Sequence, residues 1–187
     1  MRLSKPRIPP VDLERLDDDQ RAALAPFGAR PFNIFRTLAH APKALARFNE
    51  WGGYILSRRN SLPPREREIV ILRTGYLCRS GYEFTQHTAI GLREGLTAEE
   101  IARIKQGPGA PGWSAADQAL LRASDELHAD QFITDATWAA LSAHFDQKQR
   151  MDVVFTAGQY TQVSMMLNSF GVQLDEGLTL DPDLAAD

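Results

Sequence analysis

Almost every apolar stretch in this sequence opens on a proline or on a side chain able to cap a helix, and this most constrains the fold. Proline suits the first turn of a helix, where its missing N–H costs nothing. Pro31, Pro42 and the pair Pro63-Pro64 each stand at the head of such a stretch. Thr97 with Glu100 forms a capping box ahead of EEIARIKQ, and Ser114 with Asp117 repeats the pattern ahead of DQALLRASDELH. Thr134 or Asp135 opens ATWAALSAHF, and the last long helix begins near Asp146 and stops at Gly171. The acidic run Asp17-Asp18-Asp19 favours a short helix reaching about Leu24. Between these starts, apolar residues recur at helical spacing, as Leu45, Phe48, Gly52, Ile55 and Leu56 do. EIVIL and MDVVF also fit buried strands, but their flanks and lengths favour helix, and hairpin signals are few. The sequence therefore predicts an all-α protein. Residues 1–30 form an N-terminal arm with a short helix, residues 31–177 the helical domain, and residues 178–187 an acidic, mobile tail.

Composition bounds the function. The chain has 187 residues, 43% of them hydrophobic and 24% charged, with a net charge of −3. This is an ordinary globular balance for a single domain. No basic stripe invites nucleic acid, and no apolar run is long enough to suggest a membrane span. The N-terminal MRLSKPRIPPVDLERLDDD has no apolar signal core, so the expected location is the cytoplasm. One cysteine can form neither an internal disulfide nor a thiolate metal site.

The chemistry concentrates in RTGYLCRSGYEFTQH, residues 73–87, where Ser80-Gly81 marks a tight join between two helices. Glu83 and His87 are four residues apart, so on a helix they share one face and Ser80 lies a turn before them. A carboxylate beside an imidazole fixes its tautomer and tunes its basicity, as a proton-transfer pair requires. Glu68 on the preceding helix returns to the same place if the two helices form a hairpin. Arg73 is positioned to hold an anionic substrate by a forked hydrogen bond. No HExxH pattern or third ligand accompanies His87, so no metal is expected. Cys78 sits at a helix C-terminal end among apolar neighbours, where the helix dipole opposes a thiolate, and it reads as a buried hydrophobe. The acids and His128 of DELHAD read as a solvated helix end. On the last helix Tyr160, Met165, Met166 and Asn168 suggest an apolar wall with polar handles, while Phe35 and Trp51 suit a pocket or a subunit contact.

Three stretches, in this order and spacing, resemble the carboxymuconolactone decarboxylase family, which includes the AhpD-like alkylhydroperoxidases. They are REREIVILRTGYLCRSGYEFTQHTAIGLREGLTAEEIARI, ALLRASDELHADQFITDATWAAL and VVFTAGQYTQVSMMLNSFGVQL. The resemblance spans roughly residues 30–177. It implies an AhpD-like helical bundle built around a hairpin, assembled as a homo-oligomer (a trimer, hexamer or related form), with the active site often beside a subunit boundary.

In the peroxidase branch a glutamate precedes a Cys-x-x-Cys pair, and a histidine follows four residues after the second cysteine. Here the glutamate matches Glu68, the cysteine positions fall on Ser80 and Glu83, and the histidine matches His87. Both thiols are absent, and Cys78 is two residues out of register. Serine and carboxylate cannot cycle through sulfenic acid. The decarboxylase branch acts on a carboxylated lactone with neither metal nor organic cofactor. The resemblance thus implies acid/base chemistry on a small, aromatic-derived acid or lactone by Glu68, Glu83 and His87. Ser80, Tyr82, Arg73, Tyr160 and Asn168 are the expected substrate contacts, with Tyr82 serving an oxyanion or ring hydroxyl. The alternatives are a one-cysteine peroxidase using Cys78 with an external thiol, and a degenerate member that only binds a ligand.

Overall fold

The computed structural model of the protein describes residues 1–185, and these contain α-helices and short turns with no strand. The helices in chain order are α1 (Asp18–Leu24), α2 (Asn33–Leu38), α3 (Pro42–Leu56), α4 (Pro64–Leu77) and α5 (Gly81–Arg93), followed by α6 (Ala98–Gln106), α7 (Ala115–Asp130), α8 (Asp135–Ser142) and α9 (Gln147–Phe170). The starts follow the caps legible in the sequence. Thr97 and Glu100 close a capping box, while Ser114 and Thr134 accept from the backbone N–H groups of Asp117 and Thr137. Two further boxes pair Asp17 with Gln20 and Asp146 with Gln149. The last helix ends on Gly171, whose φ of 70° is left-handed and suited to glycine.

The stretch EIVIL lies in α4, where every residue from Arg67 to Gly75 is buried. A helix buried on all sides carries no polar stripe, which is why this segment also reads as a buried strand. α4 runs through the centre of the molecule and packs on α5, α7 and α9. Its Ile69, Val70 and Leu72 join Leu120, Leu121, Leu141 and Val153 in the main core. Each such side chain, fully buried, contributes about 1.5–3 kcal/mol. α4 and α5 form the hairpin on which the site is built.

The hairpin turn departs from its expected form. The left-handed residue is Arg79, at φ 51°, and Gly81 is already the first residue of α5. Glycine is needed there because of close approach: a Cβ on Gly81 would lie 2.6 Å from Leu180 Cδ1 and 3.1 Å from the Met1 nitrogen. The chain's two ends thus meet at the hairpin turn, and the Met1 amino group donates to the Leu184 carbonyl. The first part of the segment expected as a mobile tail makes specific contacts. Leu184 is buried in the main core, and Lys105 bridges Asp181 and Asp183. The last two positions of the expected tail, 186–187, lie outside the described residues.

On the other side, α2 and α3 form a roof over α5 and α9. Asp175 ties this roof down, accepting from the backbone N–H of Asn33 at 2.8 Å, from the Tyr82 hydroxyl and from Gln86 Nε2 at 2.7 Å. The buried Asp152 of α9 accepts from the Tyr54 hydroxyl at 2.7 Å and the Ser61 backbone N–H at 2.6 Å, which anchors the end of α3.

Candidate active site

α4 and α5 bring Glu68 and His87 together across the hairpin. His87 Nδ1 lies 2.8 Å from Glu68 Oε2, and Glu68 is fully buried. When Nδ1–H donates to this carboxylate, Nε2 carries the free lone pair, which makes the ring a base. The Tyr160 ring of α9 meets the His87 ring edge-on, with centroids 4.8 Å apart, and fixes the imidazole from the other side.

Glu83 sits one helical turn before His87 but does not bind it. Its side chain packs over Gly75 of α4, where a Cβ would lie 3.1 Å from Glu83 Cγ. Glu83 is 2% exposed, and its Oε1 finds no hydrogen-bond partner among the described residues. Burial, reinforced by the neighbouring Glu68 carboxylate, holds the Glu83 carboxyl well above the ordinary carboxylate range. The neutral, proton-bearing form of Glu83 is thereby favoured. Burial and the neighbouring Glu83 and Glu68 carboxyl groups push the Tyr160 hydroxyl up as well, so it remains a phenol.

These groups open onto a cavity of about 300 Å³ beneath the α2–α3 roof. Glu83, His87, Gln86, Gln159, Asn49, Tyr82 and Tyr160 form its polar part. Phe35, Phe48, Ile90, Val163 and Leu167 make most of the remaining wall, with Phe32 and Leu56 half-exposed at its edge. No lysine or arginine lines it. The arrangement is an imidazole base and a buried carboxyl group facing a largely apolar chamber, in which charge interactions are stronger than in water.

The expected site residues divide into those on this wall and those elsewhere. Glu83, His87, Tyr82 and Tyr160 line the cavity, with Glu68 directly behind His87. The imidazole's partner is Glu68 across the hairpin; the partnership expected between Glu83 and His87 within α5 does not form. Arg73 is not an anion clamp, because its guanidinium is spent on Asp125 at 2.5 Å and on the carbonyls of Ile104 and Lys105. Ser80 is fully buried at the start of α5 and does not line the cavity. Asn168 donates to the Cys78 carbonyl at 2.9 Å and holds the hairpin turn to α9.

Cys78 also lies off the cavity wall, with its sulfur 3.6 Å from His128 Nδ1, and burial pushes its thiol up. The DELHAD acids are engaged rather than simply solvated. Asp125 holds Arg73, and Glu126 accepts from the Thr134 N–H at 2.8 Å and the Thr137 hydroxyl at 2.6 Å. Met165 is 62% exposed and contributes no wall. Phe35 does line the cavity, whereas Trp51 stands half-exposed and stacks on Tyr54.

The sequence reading missed Gln159 and Gln86. The signal for Gln159 is a long polar side chain inside the otherwise core-facing VVFTAGQYTQV, and Gln86 follows Tyr82 by one turn. Among the described residues no group of three or more His, Cys, Asp or Glu is arranged to hold a metal ion. No helix among them is long and apolar enough to cross a membrane.

A helical hairpin with Glu68 on one arm and His87 on the other, inside an all-helical bundle, defines the AhpD-like class of fold. Residues 42–126 match the sequence profile of the carboxymuconolactone decarboxylase family. The structure is similar to the AhpD core of a peroxidase-related protein from Ralstonia eutropha, with a TM-score of 0.79 and 20% identity, covering 91% of this chain and 93% of that one. A peroxidase-related protein from Silicibacter is also similar, with a TM-score of 0.75 and 15% identity over 93% of this chain and 96% of that one. A variant of the debrominase Bmp8, in complex with 2,3,4-tribromopyrrole, has a TM-score of 0.73 and 10% identity over 92% of this chain and 94% of that one. Identities this low carry the fold alone. A search of curated proteins found no match to the sequence.

Proposed function

We propose that the protein is an enzyme whose own side chains move protons on a small ring or lactone substrate, with no thiol in the reaction. The observation that carries this reading is the 2.8 Å pairing of His87 Nδ1 with buried Glu68 beside a cavity whose wall also holds the buried Glu83, with Oε1 unpartnered. His87 Nε2 takes a proton from an activated carbon of the substrate, and the electron pair of that C–H bond moves onto the adjoining carbonyl oxygen. Glu83 donates its proton to that oxygen, while Glu68 stabilises the imidazolium. Returning the proton to the same or another carbon gives exchange or isomerisation. That a debrominase shares this fold supports chemistry beyond peroxide reduction on the scaffold. The thiol raised by burial and set off the cavity weighs against the one-cysteine peroxidase reading.

The test is deuterium uptake from D₂O into a panel of lactones and enolisable cyclic ketones, followed by NMR. Exchange is expected with the native protein and is expected to fall by about 10²–10⁴-fold in His87→Ala and Glu68→Gln. Equal exchange in native protein and His87→Ala, or none across the panel, would contradict the reading.

A further inference from the structure

The charge of the cavity wall narrows the substrate further, within the reading just given. An anion bound here would meet no lysine or arginine in the lining, and Glu68 lies directly behind His87. Arg73 is committed to Asp125, and the buried Arg67 is outside the wall with Nη1 on the Ser57 carbonyl. A cation fares little better. The Glu68 carboxylate is already bonded to His87, and burial favours the neutral form of Glu83. A charge taken from water without a counter-charge loses several kcal/mol of solvation.

Two polar side chains in the wall nevertheless want partners. Glu83 is 2% and Gln159 4% exposed, and the Oε1 atom of each is buried without a hydrogen bond. A buried polar atom left unpaired costs about 1–3 kcal/mol, and a ligand that pairs it recovers that cost. Around these two groups the wall is aromatic and aliphatic, and about 300 Å³ is at the low end of the range for small-molecule sites.

We infer that the cavity selects an uncharged, ring-sized apolar molecule that carries hydrogen-bonding groups for the Gln159 amide and the Glu83 carboxyl. This rests on the proton-transfer reading only in sharing its wall, and binding can be measured apart from turnover. Of the acid or lactone expected from the sequence, this favours the uncharged lactone, or another neutral ring compound such as a phenol.

The experiment is calorimetric titration at about pH 7 with three probes of one shape: para-ethylphenol, para-ethylbenzoate and para-ethylbenzylamine. Native protein is expected to bind the phenol at least about tenfold more tightly than either charged probe. His87→Ala is expected to keep this order although its turnover is lost, which separates the binding inference from the catalytic one. Gln159→Leu is expected to weaken phenol binding by about fivefold or more. Val163→Phe, which fills the cavity, is expected to abolish it. Equal or tighter binding of the carboxylate or the amine overturns the inference, as does no measurable phenol binding. Phenol binding unchanged in both Gln159→Leu and Val163→Phe also overturns it, because the probe then sits elsewhere.

Discussion

Glu83 and Glu68 are both carboxylates buried within one hairpin, and their surroundings give them opposite tasks. Glu68 has an imidazole at 2.8 Å and serves it as an acceptor. Glu83 has no partner for Oε1, and burial raises its titration well above the ordinary value of 4.5. One residue type thus supplies a hydrogen-bond acceptor in Glu68 and a buried, proton-holding acid in Glu83. The displaced titration is also a statement about stability. Folded protein keeps a proton on Glu83 that the unfolded chain releases near its ordinary value, so this contribution is fully present below that value. It is lost as pH rises toward the folded-state value. Glu83→Gln, which imitates the protonated form, is therefore expected to flatten the fall in melting temperature as pH rises above that ordinary value. Thermal denaturation across that window checks this, and an unchanged slope contradicts it.

At the scale of the element, the α4–α5 hairpin does the positioning, and Gly75 is its narrowest point. A methyl group there would stand 3.1 Å from Glu83 Cγ, and Glu83 has little room to yield. Gly75→Ala is expected to gain about 1 kcal/mol from helix propensity and to lose a similar amount by overpacking. Its mark falls on activity, with a drop of at least about tenfold at nearly unchanged melting temperature. A full-activity Gly75→Ala protein would show that the placement of Glu83 is not critical. The hairpin is also where sequence reading succeeds and fails most plainly. Caps such as Thr97–Glu100 and Ser114 act locally, within one turn, so helix starts were legible. The wall residues Tyr82, Glu83 and His87 were legible because helical spacing alone aligns them along α5. The partner of His87 was not, since crossing from α5 to α4 depends on packing, and Arg73 failed for the same reason. It reads as a free cation, but its α4 position turns it toward Asp125 on α7.

At the scale of the whole molecule, the α2–α3 roof closes with α5 and α9 around one chamber, with the apolar wall supplied by elements far apart in sequence. The size and neutrality of that chamber could not be read from residue spacing. Outside it, α9 carries Met151, Val154 and Phe155 along one side, and Phe155 meets the half-exposed Trp51 edge-on. We propose this apolar face as the contact through which copies of the chain assemble into a homo-oligomer. Light scattering coupled to size exclusion is expected to find more than one chain per particle at micromolar concentration, and a strict monomer contradicts it.

The proposed reaction runs on His87 and Glu68 and leaves Cys78 aside. The decisive comparison is of Cys78→Ser with His87→Ala in the same deuterium-exchange assay, alongside hydroperoxide consumption with a dithiol reductant. Cys78→Ser is expected to keep full exchange activity, His87→Ala to lose it by about 10²–10⁴-fold, and neither to reduce hydroperoxide appreciably. A Cys78→Ser protein that loses a hydroperoxide reductase activity present in the native chain would contradict it.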